Sequence, residues 1–280
     1  MRASPTESRN NQLGDWSKWV LSNEFDNLQF FSEALKVMDS DFQLGNRGHM
    51  AIGLVGSRDI PGVTLRRAQS VLRWDRRPSL WSHAFLIAQP LRRRGNVAKL
   101  DILEIPLFPR NGQFPKPESN GVNESTLEVY ANTKVDANVA LITVAKAQTE
   151  GEPVGLSNQD VRAIAERAGQ PNADRLRYDF WECLCAWQQY LWSEGQGPNP
   201  LREGVPVPSS AFVEMAYEAI GLDLVPSASE RNSAPEHLWN AAVWWHQSSV
   251  RERFPDDLPF VLTGCYALRD LGCSLASSDE

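Results

Sequence analysis

Imidazole is the usual general base at neutral pH, and the chain has four histidines. His83, in the run WSHAFLI, follows the polar turn RRPSLWS and opens an apolar segment. A side chain there sits at the mouth of a sheet, where it can meet a ligand; the plainer alternative is a core histidine satisfied by its neighbours. His49 opens an earlier apolar run, HMAIGLV, with a weaker case. His237 and His246 stand among Trp239, Trp244 and Trp245 in a late helical segment, where packing or capping explains them.

Carboxylates are the natural partners of such a base. Glu104 lies in LDILEIP, and a carboxylate inside so apolar a segment must be paired or exposed at an edge, because burying it alone is expensive. It could orient an imidazole. Asp101 could do so from the opposite face, since strand side chains alternate. Nucleophile candidates come later in the chain. Pro208–Ser209–Ser210 precedes AFVEMAYEAIG, so Ser209 or Ser210 should occupy or adjoin a helix N-cap, a place serine fills well for structural reasons alone. The functional alternative is a nucleophile at the positive end of the helix dipole. Of the thiols, Cys183 shares a helical face with Phe180, Trp187 and Leu191 and so behaves as a small hydrophobe. Cys185 points elsewhere and is the more available.

The elements that must position these groups are legible in outline. FDNLQFFSEALKVM carries Phe25, Leu28, Phe31, Leu35 and Val37 near helical spacing. A strand is expected over 49–55, a turn at Ile60–Pro61–Gly62, then a helical stretch TLRRAQSVLRW. Strands over 83–89 and 98–105, separated by PLRRRGNV, read as a hairpin. The long segment 106–124 has loop chemistry and the length of a functional loop, after which STLEVY and NVALITVA resume strand character. Helices follow: LSNQDVRAIAERAG with a Ser157/Asn158 cap signal and a stop at Gly169, then YDFWECLCAWQQYLW, then SSAFVEMAYEAIG. A β-rich first half followed by helices predicts α+β rather than an alternating α/β chain.

This order of motifs resembles the circularly permuted papain-like hydrolases of the NlpC type. The matching stretches are Gly53 to Ile87, Ile102 to Ile105, Tyr178–Asp179, and PSSAFVEMAYEAIGLDL followed by SAPEHLW. The order of these stretches, covering roughly residues 48 to 240, carries the likeness more than any single motif. In that family the histidine and its polar partner precede the nucleophile. The resemblance therefore implies a small antiparallel sheet packed on a nucleophile-bearing helix, with extra peripheral helices. It implies His83 as general base, Glu104 as the polar third member and Ser209 where the family has Cys. It further implies a peptide, amide or acyl-ester substrate, with cell-wall peptides and lipid acyl groups as the family's range, and no metal or organic cofactor.

The departure at Ser209 has chemical weight. A helix N-terminus contributes up to about 2 kcal/mol, roughly 1.5 pKa units, enough to bring a thiol toward neutrality but not a hydroxyl. Ser209 would need concerted proton removal and a preorganised oxyanion site, with Ser210 and backbone N–H groups at the helix start as candidate contacts. The alternatives are an inactive papain-like scaffold that binds a protein or ligand, and an enzyme whose native Cys has been replaced by Ser209.

Length and composition bound the rest. A chain of 280 residues, 42% hydrophobic and 22% charged, with ten Trp, can build its own core. A formal charge of −7 argues against nucleic-acid binding, and no apolar run reaches membrane-spanning length. With no apolar stretch of signal-peptide type near residue 1, the expected location is the cytoplasm. Four Cys spaced C-x-C and C-x7-C fit neither a disulfide framework nor a structural zinc site, and no H-E-x-x-H spacing points to a catalytic metal. The expected organisation is a flexible segment over 1–22, a helical extension over 23–47, a permuted papain-like domain over 48–247, and a C-terminal extension over 248–280 packed on it.

Overall fold

The structure is a computed structural model that describes residues 21–41, 50–87, 96–108, 122–146, 154–169, 179–226, 228, 232–250 and 260–276. It is α+β. The strands are β1 (Ala51–Ser57), β2 (His83–Ile87), β3 (Asp101–Glu104), β4 (Asn123–Thr126), β5 (Asp136–Lys146), β6 (Val154–Gly155) and β7 (Phe260–Leu268). The helices are α1 (Asn27–Asp41), α2 (Ile60–Ala68), α3 (Asn158–Ala168), α4 (Phe180–Trp192), α5 (Pro208–Glu218) and α6 (Pro235–Val250). The strands form one seven-stranded sheet ordered β4-β3-β2-β1-β5-β6, with β7 also paired to β5. Every pairing is antiparallel.

Side-chain alternation gives this sheet two buried faces. Leu54, Ala84, Leu86, Ala140 and Ile142 pack with Phe212 and Ala216 of α5 and with Leu238 of α6. Val55, Phe85, Ile87, Val139 and Leu141 pack with Phe30, Phe31, Ala34 and Leu35 of α1. The sheet is therefore covered on both sides, which explains the near-continuous apolar runs in β1 and β5. The buried stripe of α1 runs through Phe30, Ala34 and Met38 as well as Phe31 and Leu35, whereas Leu28 and Val37 are only partly buried.

Several sequence expectations are corrected. Ile60–Pro61–Gly62 is not a turn but the first turn of α2: Asp59 is its N-cap, its carboxylate accepting from the Gly62 N–H, and proline suits the opening position because its missing donor has no helical partner there anyway. The helical stretch after Ala68 is 3₁₀ over Gln69–Leu72. The strand expected over 98–105 is confined to Asp101–Glu104 and preceded by a 3₁₀ turn, and STLEVY passes from strand to 3₁₀ helix at Leu127. The sheet also draws on the second half of the chain, since β7 runs beside β5 from Asn138↔Leu268 to Lys146↔Phe260. Residues 1–20, His49, Tyr178 and most of the 106–124 loop lie outside the described residues.

A buried cation fixes the end of the sheet where β1 stops and β2 begins. Arg66 of α2 is fully buried; its guanidinium donates to Ser79 O, to Ser57 O, to Asp270 O and, at 2.6 Å, to the Asp270 carboxylate. Desolvation alone would raise the pKa of Asp270, but the bonds from Arg66 and Ser274 outweigh it and hold the carboxyl below its ordinary value. The pair thus joins α2, the turn before β2 and the segment after β7.

Candidate active site

His83 opens β2, and Glu104 closes β3. Both keep the parity of the α1 face, His83 with Phe85 and Glu104 with Ile102. Their side chains meet: His83 Nε2 lies 2.8 Å from Glu104 Oε2, with both residues buried. The carboxylate has two further donors. Ser125 Oγ of β4 donates to Oε1 at 3.0 Å, and the Tyr130 hydroxyl makes a short hydrogen bond to Oε2. Asp101, the other carboxylate of β3, points away and is exposed.

Tyr130 belongs to the 3₁₀ turn after β4 and is locked by packing. Its ring stacks on Phe85 at a centroid distance of 4.5 Å and an interplanar angle of 12°. Phe85 in turn lies across β1 at Gly53, where an added Cβ would fall 2.0 Å from the ring, so only glycine leaves room for it. A glycine on β1 thereby sets the place of a hydroxyl that reaches the histidine's partner.

With Nε2 committed to Glu104, Nδ1 is the His83 nitrogen left for a ligand. His83 lines a pocket at the end of the sheet together with Ser57, Ser82, Asp59, Pro61, Leu65, Phe108 and Val207. Serines form one wall: Ser82 Oγ accepts from the Ser57 N–H, and Ser57 Oγ donates to the buried Asp136 at 2.7 Å. Pro106, Leu107 and Phe108, the described start of the long loop, form an apolar wall.

Ser209 and Ser210 enter from the other face. The N-cap of α5 is Val207, not a serine, so Pro208, Ser209 and Ser210 are the first three helical residues. Val207 reaches the His83 pocket. Ser209 is fully buried, and its Oγ accepts the N–H of Ala84, the residue after His83, at 3.3 Å. No hydrogen bond among the described residues joins Ser209 to His83. Ser210 is fully buried too, and its Oγ makes no hydrogen bond among the described residues. The three residues picked out in the sequence thus come to one end of the sheet, with His83 and Glu104 bonded to each other and Ser209 bonded to the backbone of β2 beside them.

The remaining candidates fall elsewhere. Cys183 packs in the core, where burial pushes its thiol up to about 12, and Cys185 is exposed on the outer side of α4. Neither lines the His83 pocket. His237 lies half-buried on α6, and burial lowers its pKa. No group of three or more His, Cys, Asp or Glu among the described residues is placed to hold a metal ion. No helix among them is long and apolar enough to cross a membrane. Ser125 and Tyr130 are site residues that sequence reasoning missed.

Comparison with protein-family models, with curated proteins and with solved structures finds no match to this chain.

Proposed function

We propose that this protein is a hydrolase of amides or acyl esters on a permuted papain-like scaffold, with His83 as base, Glu104 as its orienting partner and Ser209 as nucleophile. The observation that carries this reading is the buried His83–Glu104 hydrogen bond at 2.8 Å, beside a pocket that Val207 of the α5 N-cap also lines. Glu104 fixes the tautomer with the proton on Nε2, which leaves the Nδ1 lone pair to accept a proton.

In this reaction Ser209 Oγ attacks the substrate carbonyl as its proton passes to His83 Nδ1. The tetrahedral oxyanion forms at the start of α5, where Pro208 has no N–H and the Ser210 N–H already donates to Val207 O, so the Ser209 N–H is the backbone donor for it. Collapse expels the amine or alcohol, which takes the proton from His83, and leaves an acyl ester on Ser209. Water, deprotonated by His83, then hydrolyses that ester and restores the hydroxyl. The chemistry draws on no metal or organic cofactor.

A second reading, a binding scaffold without turnover, is favoured by one observation: Ser209 is fully buried and bonded to Ala84 rather than to His83. Turnover of model peptide amides and acyl esters separates the two. Ser209→Ala and His83→Ala should each lower kcat/KM by about 10³-fold or more. Turnover unchanged in Ser209→Ala would overturn the nucleophile assignment.

A further inference from the structure

We infer, independently of the His83 chemistry, that the turn over 73–78 docks the protein on an anionic bilayer surface, with Trp74 at the headgroup level and Arg76 and Arg77 on lipid phosphates. Trp74 is the most exposed large apolar side chain among the described residues, at 86%. A single surface indole is ordinary in itself; the frame around this one is not. Arg73 Nε and Nη2 donate to the two oxygens of Asp75 at 3.0 Å each, and Arg73 Nη1 donates to the buried Glu236 of α6 at 2.8 Å. Asp75 Oδ1 also accepts the Arg77 N–H, the Arg76 N–H closes on Arg73 O, and the Arg76 guanidinium donates to Val71 O. Arg76 has a φ of 55°, a left-handed conformation that is costly for a residue with a Cβ and persists only where its surroundings hold it.

This frame decides what faces outward. The one acid of the turn, Asp75, is half-buried and taken up by Arg73, so the exposed charges of the turn are the guanidiniums of Arg76 and Arg77, close in sequence to the exposed indole. None of the bonds that tie the turn comes from the Trp74 side chain, so the fold itself does not require an aromatic there. An indole settles at the membrane interface, and a guanidinium matches phosphate through its fork of donors. The chain as a whole carries −7, which repels an anionic surface. At about 0.1 M salt, however, charges beyond about 10 Å are screened, and the sign of the nearest groups decides. Two cations and one ring suit a flat lipid surface better than a nucleic-acid strand, which asks for a run of cations and several stacking platforms.

The test is co-sedimentation of the full chain with vesicles of equal parts phosphatidylglycerol and phosphatidylcholine, beside vesicles of phosphatidylcholine alone. Quenching of tryptophan fluorescence by brominated acyl chains is the second readout. Binding should appear on the anionic vesicles at about 0.1 M salt and vanish near about 1 M, where the screening length falls to about 3 Å. Arg77→Gln, which touches no side-chain bond of the frame, should weaken binding about five-fold. Trp74→Ala should weaken it more and abolish the quenching by brominated lipid. Both side chains are exposed, so both variants should melt at the parent's temperature. No binding to the anionic vesicles, or binding and quenching unchanged in Trp74→Ala, would overturn the inference. So would a chain that ignores vesicles and retains a single-stranded oligonucleotide through Trp74.

Discussion

On the α1 side of the sheet, Glu104 is buried with three donors, from His83, Ser125 and Tyr130, spread over both of its oxygens. On the α5 side, one serine accepts from a backbone amide of β2 and the next has a buried hydroxyl with no partner among the described residues. Both regions meet the same pocket, one through His83 and the other through Val207. Placing donors on both oxygens of a buried carboxylate holds a neighbouring imidazole in one tautomer and one orientation. An orphaned buried hydroxyl does the opposite, since it costs stability and fixes nothing. The side of the proposed base is thus tied by side-chain hydrogen bonds, whereas the start of α5 is tied through backbone amides, Ala84 N–H to Ser209 Oγ and Val207 N–H to Ser233 O, a contrast that substitution can break.

The largest effect should come from Glu104→Ala. It strands the buried Tyr130 hydroxyl, the half-buried Ser125 hydroxyl and an imidazole N–H around an empty site, and urea unfolding should show a loss of about 3–5 kcal/mol. A loss below about 1 kcal/mol would mean that the network is ornamental to the fold. The smallest should come from Ser210→Ala, which removes a hydroxyl that bonds to no described residue and should leave stability unchanged or raise it by up to about 1 kcal/mol. A clear destabilisation there would show that Ser210 has a partner, and the contrast between the two sides would narrow.

Parts of this arrangement are legible in the amino-acid sequence. The Ser157/Asn158 signal marks the start of α3, where Ser157 is the N-cap and forms a reciprocal cap with Asp160, and the apolar runs of β1, β2 and β5 declare buried strands. His83 and Glu104 stand out because each is a polar group at the end of an apolar segment, and the register of β2 against β3, Leu86↔Leu103 and Ile87↔Ile102, carries them to the same end of the sheet. Other parts are hidden for physical reasons. The turn chemistry of Asp59–Ile60–Pro61–Gly62 suits a loop and a capped helix start equally, and the helix wins through the Asp59 cap. The partner of β7 lies more than a hundred residues earlier in β5, a pairing no local pattern reveals. Ser125 and Tyr130 carry no local mark at all; they matter because β4 and the turn after it fold back over Glu104.

The central claim is that His83 activates Ser209, and acylation of Ser209 tests it most directly. Full-length protein and His83→Ala are incubated with an activated acyl ester, and peptides are mapped by mass spectrometry. The account predicts an acyl adduct on the peptide bearing Ser209 that forms at neutral pH and disappears in His83→Ala. An unmodified Ser209, or an adduct formed equally well without His83, would contradict it.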